Sequence, residues 1–255
     1  MFFAQDAGAL GAIAAEGRLA TLPAETLARV DERFVSDDGA WVGVSGRARV
    51  VVYDTRVLEE RDLPAAIDGF TDPSWSGRIG WAPTNASFQS FVTAYRVLEG
   101  DDAARAWLEG IQANEPKVYE GNDAVLAAVA AGEIEVGFVN HYYLMRQLEE
   151  QGDDFPVRNH FLPAGDPGSL VNVAGVGILT TAPHAEPAQR FVDFLLTDEA
   201  QRYFADETQE YPLVDGVEAN PALPPLREIQ SPDIDLSDLS DLEGTLELLQ
   251  EAGVL

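Results

Sequence analysis

Cysteine is absent from the 255 residues. That removes thiolate catalysis, zinc–cysteine sites and disulfides, and it leaves the redox compartment open. Lysine is nearly absent as well: Lys117 stands alone, and every other basic residue is an arginine. No apolar run approaches the roughly 18 residues of a membrane span. Met1-Phe2-Phe3 has neither the basic region nor the apolar core of a secretory leader. Positive charge is scarce overall, with 16 Lys and Arg against 44 Asp and Glu, a formal charge of −28. Binding to a phosphate backbone needs a positive surface and is disfavoured. The acidic residues are spread too evenly to mark a site; they read as the solvated surface of a salt-adapted protein. There is no His-x-x-x-His pair, Gly-rich phosphate loop or Gly-x-Ser-x-Gly elbow, and no nucleophile beside a base, so an enzyme is not expected.

What is present suits one large α/β domain or two lobes. Met1 opens inside a strand, Phe2-Phe3-Ala4, followed by a helix from Gly8 to about Glu16. A doubly wound domain rarely starts at the tail of a strand, so the chain reads as truncated at its N-terminus or as carrying a misplaced start. Trp41–Val44 and Ala48–Tyr53 are β-rich runs around a Ser45-Gly46 turn signal. The second is nearly all apolar after Arg49, as expected of a strand buried on both faces in a parallel sheet. Arg78–Ala82 is a strand leading through Pro83-Thr84-Asn85-Ala86-Ser87 into a helix from Phe88 to Leu98. Free backbone N–H groups, with the hydroxyls and amide of Thr84, Asn85 and Ser87, would make that turn an anion cradle; ordinary N-capping is the alternative. A helix over Asp101–Ala113 follows, and Asn122 is placed to cap another that ends at Ala131. Later come an apolar strand over Val171–Leu179, two helices over 187–207, a Pro-rich stretch from Pro212 and a last helix over Leu242–Glu251.

The chain is organised around Val136-Gly137-Phe138-Val139-Asn140-His141-Tyr142-Tyr143-Leu144-Met145-Arg146. Its first half is a buried strand and its second half a helix, with Asn140 at the N-cap position. Two adjacent phenols therefore stand at the carboxyl end of a strand, where open α/β sheets bind ligands. A phenol loses its proton near pH 10 in water, and a hard cation close by favours the phenolate, an anionic oxygen donor suited to Fe3+. One packing ring and one surface ring is the plainer alternative. His141 is read as bonding locally beside the pair. His160 and His184 have no partner spacing.

Several segments together carry a family likeness. They are Gly46-Arg47-Ala48-Arg49-Val50-Val51-Val52-Tyr53-Asp54-Thr55, Phe70-Thr71-Asp72-Pro73 with Trp75 and Gly77-Arg78, Pro83-Thr84, and Asn140-His141-Tyr142-Tyr143. Asn172–Gly177 and Glu210-Tyr211-Pro212-Leu213 complete the set. The sequence resembles the ferric-binding protein family, the ferric-iron solute-binding proteins of ABC importers, from Phe2 to the C-terminus. The resemblance implies a two-lobed type II periplasmic binding-protein fold, α/β, with a ligand cleft between lobes. The expected segments are a partial N-terminal lobe at 1–48, a C-terminal lobe at 49–171, a return to the N-terminal lobe at 172–222, and an extension at 223–255 packed on the C-terminal lobe.

The resemblance also implies a function: extracytoplasmic capture of Fe3+ with a synergistic anion, and delivery by a monomer to an ABC permease. Tyr142 and Tyr143 occupy the positions of the family's iron-binding tyrosine pair. The anion, phosphate or carbonate, would involve Thr84, Asn85, Ala86, Ser87, Asn122 and Asn140, or an arginine at Arg47 or Arg49. A glutamate ligand found in some members matches Gln5, a poorer donor, with Asp6 adjacent. A third tyrosine found in some members matches Phe88, which cannot ligate. The other readings are a binding protein for a small oxyanion or organic acid, and a truncated product with no working site.

The acidic surface carries an expectation of its own. Raising KCl from about 0.1 M to about 1 M shortens the Debye length from about 10 Å to about 3 Å. Screening of the self-repulsion should then raise the thermal midpoint. A midpoint that stays flat or falls would remove the salt-adapted reading.

Overall fold

The computed structural model describes residues 1–229 and 231–255. The chain divides into two compact units. The first comprises Met1–Arg47, Val171–Glu228 and Ile234–Asp241. The second comprises Ala48–Leu170, Ile229–Asp233 and Leu242–Leu255.

In the first unit, β1 (Phe2–Ala4) and β2 (Leu19–Ala20) both pair antiparallel with β8 (Val171–Leu179). Between them lies α1 (Ala7–Ala15), which begins where the Asp6 carboxylate accepts the Gly8 N–H. Short α2 covers Ala24–Leu27. Strand β3 runs unbroken from Trp41 to Asp54, and its first half belongs to this unit. Val42, Val44, Val176 and Ile178 pack with Val192, Leu195 and Leu196, and the last three come from α7 (Ala185–Leu195) and its end. Helix α8 (Asp198–Asp206) supplies Gln201, which is fully buried. Its amide donates to the carbonyls of Val44 and Leu195 at 2.8 Å each and accepts the Leu213 N–H at 2.7 Å.

The Ser45-Gly46 turn expected between two strands is not there. Ser45 donates to the Glu210 carboxylate, and Gly46 exchanges both backbone hydrogen bonds with Tyr211, at 2.8 and 2.9 Å. A Cβ at Gly46 would stand 3.1 Å from Leu213 and 3.3 Å from Tyr211. The glycine marks close approach of a second chain segment rather than a reversal.

In the second unit the sheet runs β3–β6–β4–β5, with β7 on the other side of β3. Here β4 is Ile79–Trp81, β5 Lys117–Val118, β6 Val136–Asn140 and β7 Val157–His160. The pairs of β4 with β5 and β6 are parallel, but β3 is antiparallel to both β6 and β7, which corrects the parallel setting expected for it. Its all-apolar run is still explained by two-faced burial. Val51 and Tyr53 join one core cluster and Val50 and Val52 another, the period of two that a strand imposes. The first cluster is aromatic. It takes Phe88 and Phe91 from α3 (Ala86–Glu99), Trp107 from α4 (Asp101–Ala113), and Leu248 and Leu249 from α9 (Leu242–Glu251). The second is aliphatic and takes Val125 and Val129 from α5 (Asn122–Ala131) and Leu144 from α6 (His141–Gln151).

The C-terminal stretch does not pack as one extension on the second unit, as expected for 223–255. Residues 234–241 belong to the first unit, where Leu236 and Leu239 are buried and the turn Leu236–Ser240 lies against α1. Gly8 and Gly11 make room for it. Added Cβ atoms would sit 2.3 Å from the Leu239 carbonyl oxygen and 2.5 Å from that of Ser237. Backbone cannot move aside as a side-chain tip can. Gly8→Ala and Gly11→Ala should therefore each destabilise the protein by about 1–3 kcal/mol from overpacking, despite the roughly 1 kcal/mol that helix propensity gives alanine. Chemical denaturation measures this, and an unchanged or raised midpoint would show that 236–240 is not docked on α1.

Candidate metal centre

The site is built where β6 hands over to α6. All five residues of β6 are buried. Asn140 keeps extended backbone angles, φ −97° and ψ 151°, at the N-cap position, yet its side chain makes no cap hydrogen bond. The expected capping role is therefore not exercised, although the residue is 4% exposed. His141 opens the helix, and Tyr142 and Tyr143 follow within its first turn. Their rings stack with centroids 4.3 Å apart and planes at 27°. Tyr142 is 8% exposed, and Tyr143 is half-buried beside the aliphatic cluster. One turn on, the Arg146 guanidinium lies 4.8 Å from the centre of the Tyr142 ring, the i, i+4 spacing of neighbours on a helix face.

Across the sheet, Arg49 on β3 stands directly opposite Asn140 in register. Its guanidinium donates to the Phe138 carbonyl at 2.9 Å and to Ser87 Oγ at 3.4 Å. It also lies 5.7 and 5.5 Å from the ring centres of Phe88 and Phe91. Its Nε is buried without a partner. Burial pulls its pKa down to about 9, and the charges that pull it back up are those of Tyr143 and Tyr142 when ionised. The two phenols are thus the electrostatic counterparts of this buried cation.

The turn before α3 differs from an open cradle. Asn85 is the N-cap, and its Oδ1 accepts the Ser87 N–H at 2.9 Å and the Ser87 hydroxyl at 2.6 Å. Ser87 Oγ in turn accepts the Asn122 amide at 3.0 Å. Two of the three polar side chains expected to face an anion are therefore committed to capping, while Thr84 and Ala86 are exposed. Asn122 was expected to cap α5. Instead Gly121 holds that position, and Asn122, 1% exposed, is the first helical residue, with its Oδ1 buried and unpartnered. The reason is tertiary: its amide is drawn to Ser87, 35 residues away.

The structure brings together Tyr142, Tyr143, Asn140, Asn85, Ser87, Asn122 and Arg49, all in the second unit. It assigns Gln5 and Arg47 to the first unit. Gln5 is exposed, and Asp6, its alternative, caps α1 and accepts the Asn172 amide at 2.6 Å. Arg47 is 9% exposed with its Nε buried and unpartnered. Phe88, where some family members have a tyrosine, is fully buried against Trp81 and Trp107. Arg146 escaped the sequence reading, although its spacing from Tyr142 was the available signal. Among the described residues, no group of three or more His, Asp or Glu is arranged to hold a metal ion. Asn85→Ala removes the α3 cap and should cost about 1 kcal/mol of stability in a denaturation experiment. The exposed Thr84→Ala should stay within about 0.5 kcal/mol. Equal effects would show that Asn85 does not act as the cap.

Comparison with known proteins places the chain in a family. Residues 1–237 match the bacterial extracellular solute-binding protein family. The chain is 35% identical over 257 residues to the major ferric iron-binding protein of Neisseria meningitidis, covering 100% of this chain and 77% of that protein. It superimposes on iron-bound HitA from Pseudomonas aeruginosa with a TM-score of 0.91 at 35% identity, covering 98% of this chain and 81% of that one. A Trichodesmium protein in complex with iron and citrate gives a TM-score of 0.87 at 28% identity, covering 100% and 83%. The fold expected from the sequence, the α/β type II periplasmic binding-protein fold, is the fold of these relatives. The chain is therefore a bacterial extracellular solute-binding protein of the ferric-binding family, a transport component and not an enzyme.

Proposed function

We propose that this protein captures ferric iron outside the cytoplasm and delivers it, as a monomer, to the membrane permease of an ABC importer. Tyr142 and Tyr143 act as phenolate ligands. The observation that carries this reading is the pair of stacked phenols beside Arg49, a buried cation whose offsetting charges are those phenols when ionised. Two phenolates leave a trivalent cation one charge short of neutrality, and Arg49 adds another positive charge, so a small oxyanion completes the shell. Both phosphate and carbonate meet that requirement. The self-capped turn at Asn85–Ser87 and the unpartnered Nε of Arg49 favour an anion seated at the arginine. Asn140 and Asn122 supply further polar contacts. The relatives support the cargo: the Neisseria and Pseudomonas proteins are described as ferric iron-binding and iron-bound.

Adding ferric salt with phosphate, and separately with bicarbonate, should give a visible phenolate-to-iron charge-transfer band. Tyr142→Phe and Tyr143→Phe should each abolish or strongly weaken it. A colourless wild-type protein under both conditions would reject the ferric reading.

The second reading is an oxyanion or organic acid bound without iron, and the buried, incompletely paired Arg49 is the observation in its favour. A ligand that binds only the native state raises its apparent stability. Under the ferric reading, the thermal midpoint rises most with iron and anion together. A full rise with anion alone would select the second reading.

A further inference from the structure

We propose that His141 is a positioning residue for the Tyr142 phenolate, working through its Nδ1 and not as a metal ligand. This rests on the ferric reading of the tyrosine pair. The imidazole is fully buried, and its Nδ1 accepts the backbone N–H of Ala48 at 3.1 Å. The bond has a topological reason. Strands β3 and β6 pair antiparallel up to Arg49 opposite Asn140, and the next opposing pair would be Ala48 with His141. At that point the β6 backbone turns into α6, so the carbonyl that would have accepted the Ala48 N–H is carried away into the helix. The side chain of His141 replaces it. An imidazole nitrogen thus makes the last rung of the ladder.

Two further contacts and one adjacency make this rung a positioning device. The His141 ring stands edge-on to Tyr142, centroids 5.8 Å apart at 88°, so fixing the imidazole fixes one wall of the phenol. The His141 carbonyl accepts the Asn159 amide at 3.0 Å, so the helix start is held to β7 as well as to β3. The residue after Ala48 is Arg49, whose charge interacts with both phenols. The imidazole bond therefore ties the first turn of α6, and with it Tyr142, to the segment of β3 that carries the arginine. Because Nδ1 is an acceptor here, the ring is the neutral tautomer with its proton on Nε2. With that lone pair engaged and the ring fully buried, Nδ1 is not offered to a metal.

Two substitutions separate the nitrogens. Asparagine can place an amide oxygen where Nδ1 lies, whereas the amide of glutamine reaches toward the Nε2 position. His141→Asn should keep the wild-type charge-transfer maximum and bind iron, supplied as ferric citrate, within a few-fold of wild type. His141→Gln should shift the band and bind about 10–100-fold more weakly, the usual effect of losing an outer-shell partner. Where the glutamine variant does not fold, His141→Leu takes its place.

The tyrosine ring resonances of the iron-free protein, after 13C labelling, provide a readout that needs no iron. Both variants lose the ring current of the imidazole, so Tyr142 should shift modestly in His141→Asn and further, with broadening, in His141→Gln, where the Ala48 bond is lost as well. Tyr142 shifts no larger in His141→Gln than in His141→Asn, or equal loss of affinity in both variants without a band shift, would overturn the proposal. A wild-type protein with no charge-transfer band would sink the ferric reading instead, and the resonances would still decide whether His141 positions the ring.

Discussion

A guanidinium taken out of water must find compensating negative charge, or its charged form is disfavoured. Arg49 is 4% exposed, and the groups it touches are a backbone carbonyl, a serine hydroxyl and two aromatic faces. None of these carries a formal charge. Its offsetting charges are Tyr143 and Tyr142 in their ionised state. The arginine's charged form is thus disfavoured by burial and favoured by the charge of those two side chains when they are ionised.

The rest of the second unit serves to make that burial tolerable. Strand β3 is covered on both faces, aromatic on one side and aliphatic on the other, and the arginine it carries is left 4% exposed. Phe88 and Phe91 close over the guanidinium, and a cation over desolvated aromatic faces gains on the order of 2 kcal/mol in return. Phe88 packs among Trp81, Phe91 and Trp107, and its plain ring offers no donor atom. The helix α3 that presents it is capped by Asn85, whose Oδ1 accepts both the N–H and the hydroxyl of Ser87.

The elements themselves were largely legible. The strand over Val171–Leu179 and the helix over Asp101–Ala113 have the bounds that their apolar spacing and flanking residues suggest. The misreadings have a common cause. Ser45-Gly46 has turn composition, but Tyr211, 165 residues further on, pairs with it and straightens it into strand. Asn122 has cap composition, but Ser87 draws its side chain away. Leu236 and Leu239 are apolar like Leu248 and Leu249, and nothing local distinguishes residues that dock on α1 from residues that join the aromatic core. In each case a long-range partner outweighed the local preference.

From its sequence alone this protein had its chemistry decided: adjacent phenols at a strand-to-helix junction, no thiol, few histidines, and an excess of carboxylates spread too widely to form a site. Those are properties of residue types and of short-range periodicity, and both are written linearly. Tertiary structure alone decided that Arg49 answers the phenols, that the Asn85–Ser87 turn caps itself, that Asn122 faces Ser87, and that His141 completes the ladder at Ala48. Each of these depends on which atoms are left without water and which partner reaches them first. Burial sets that competition, and burial belongs to the folded chain as a whole.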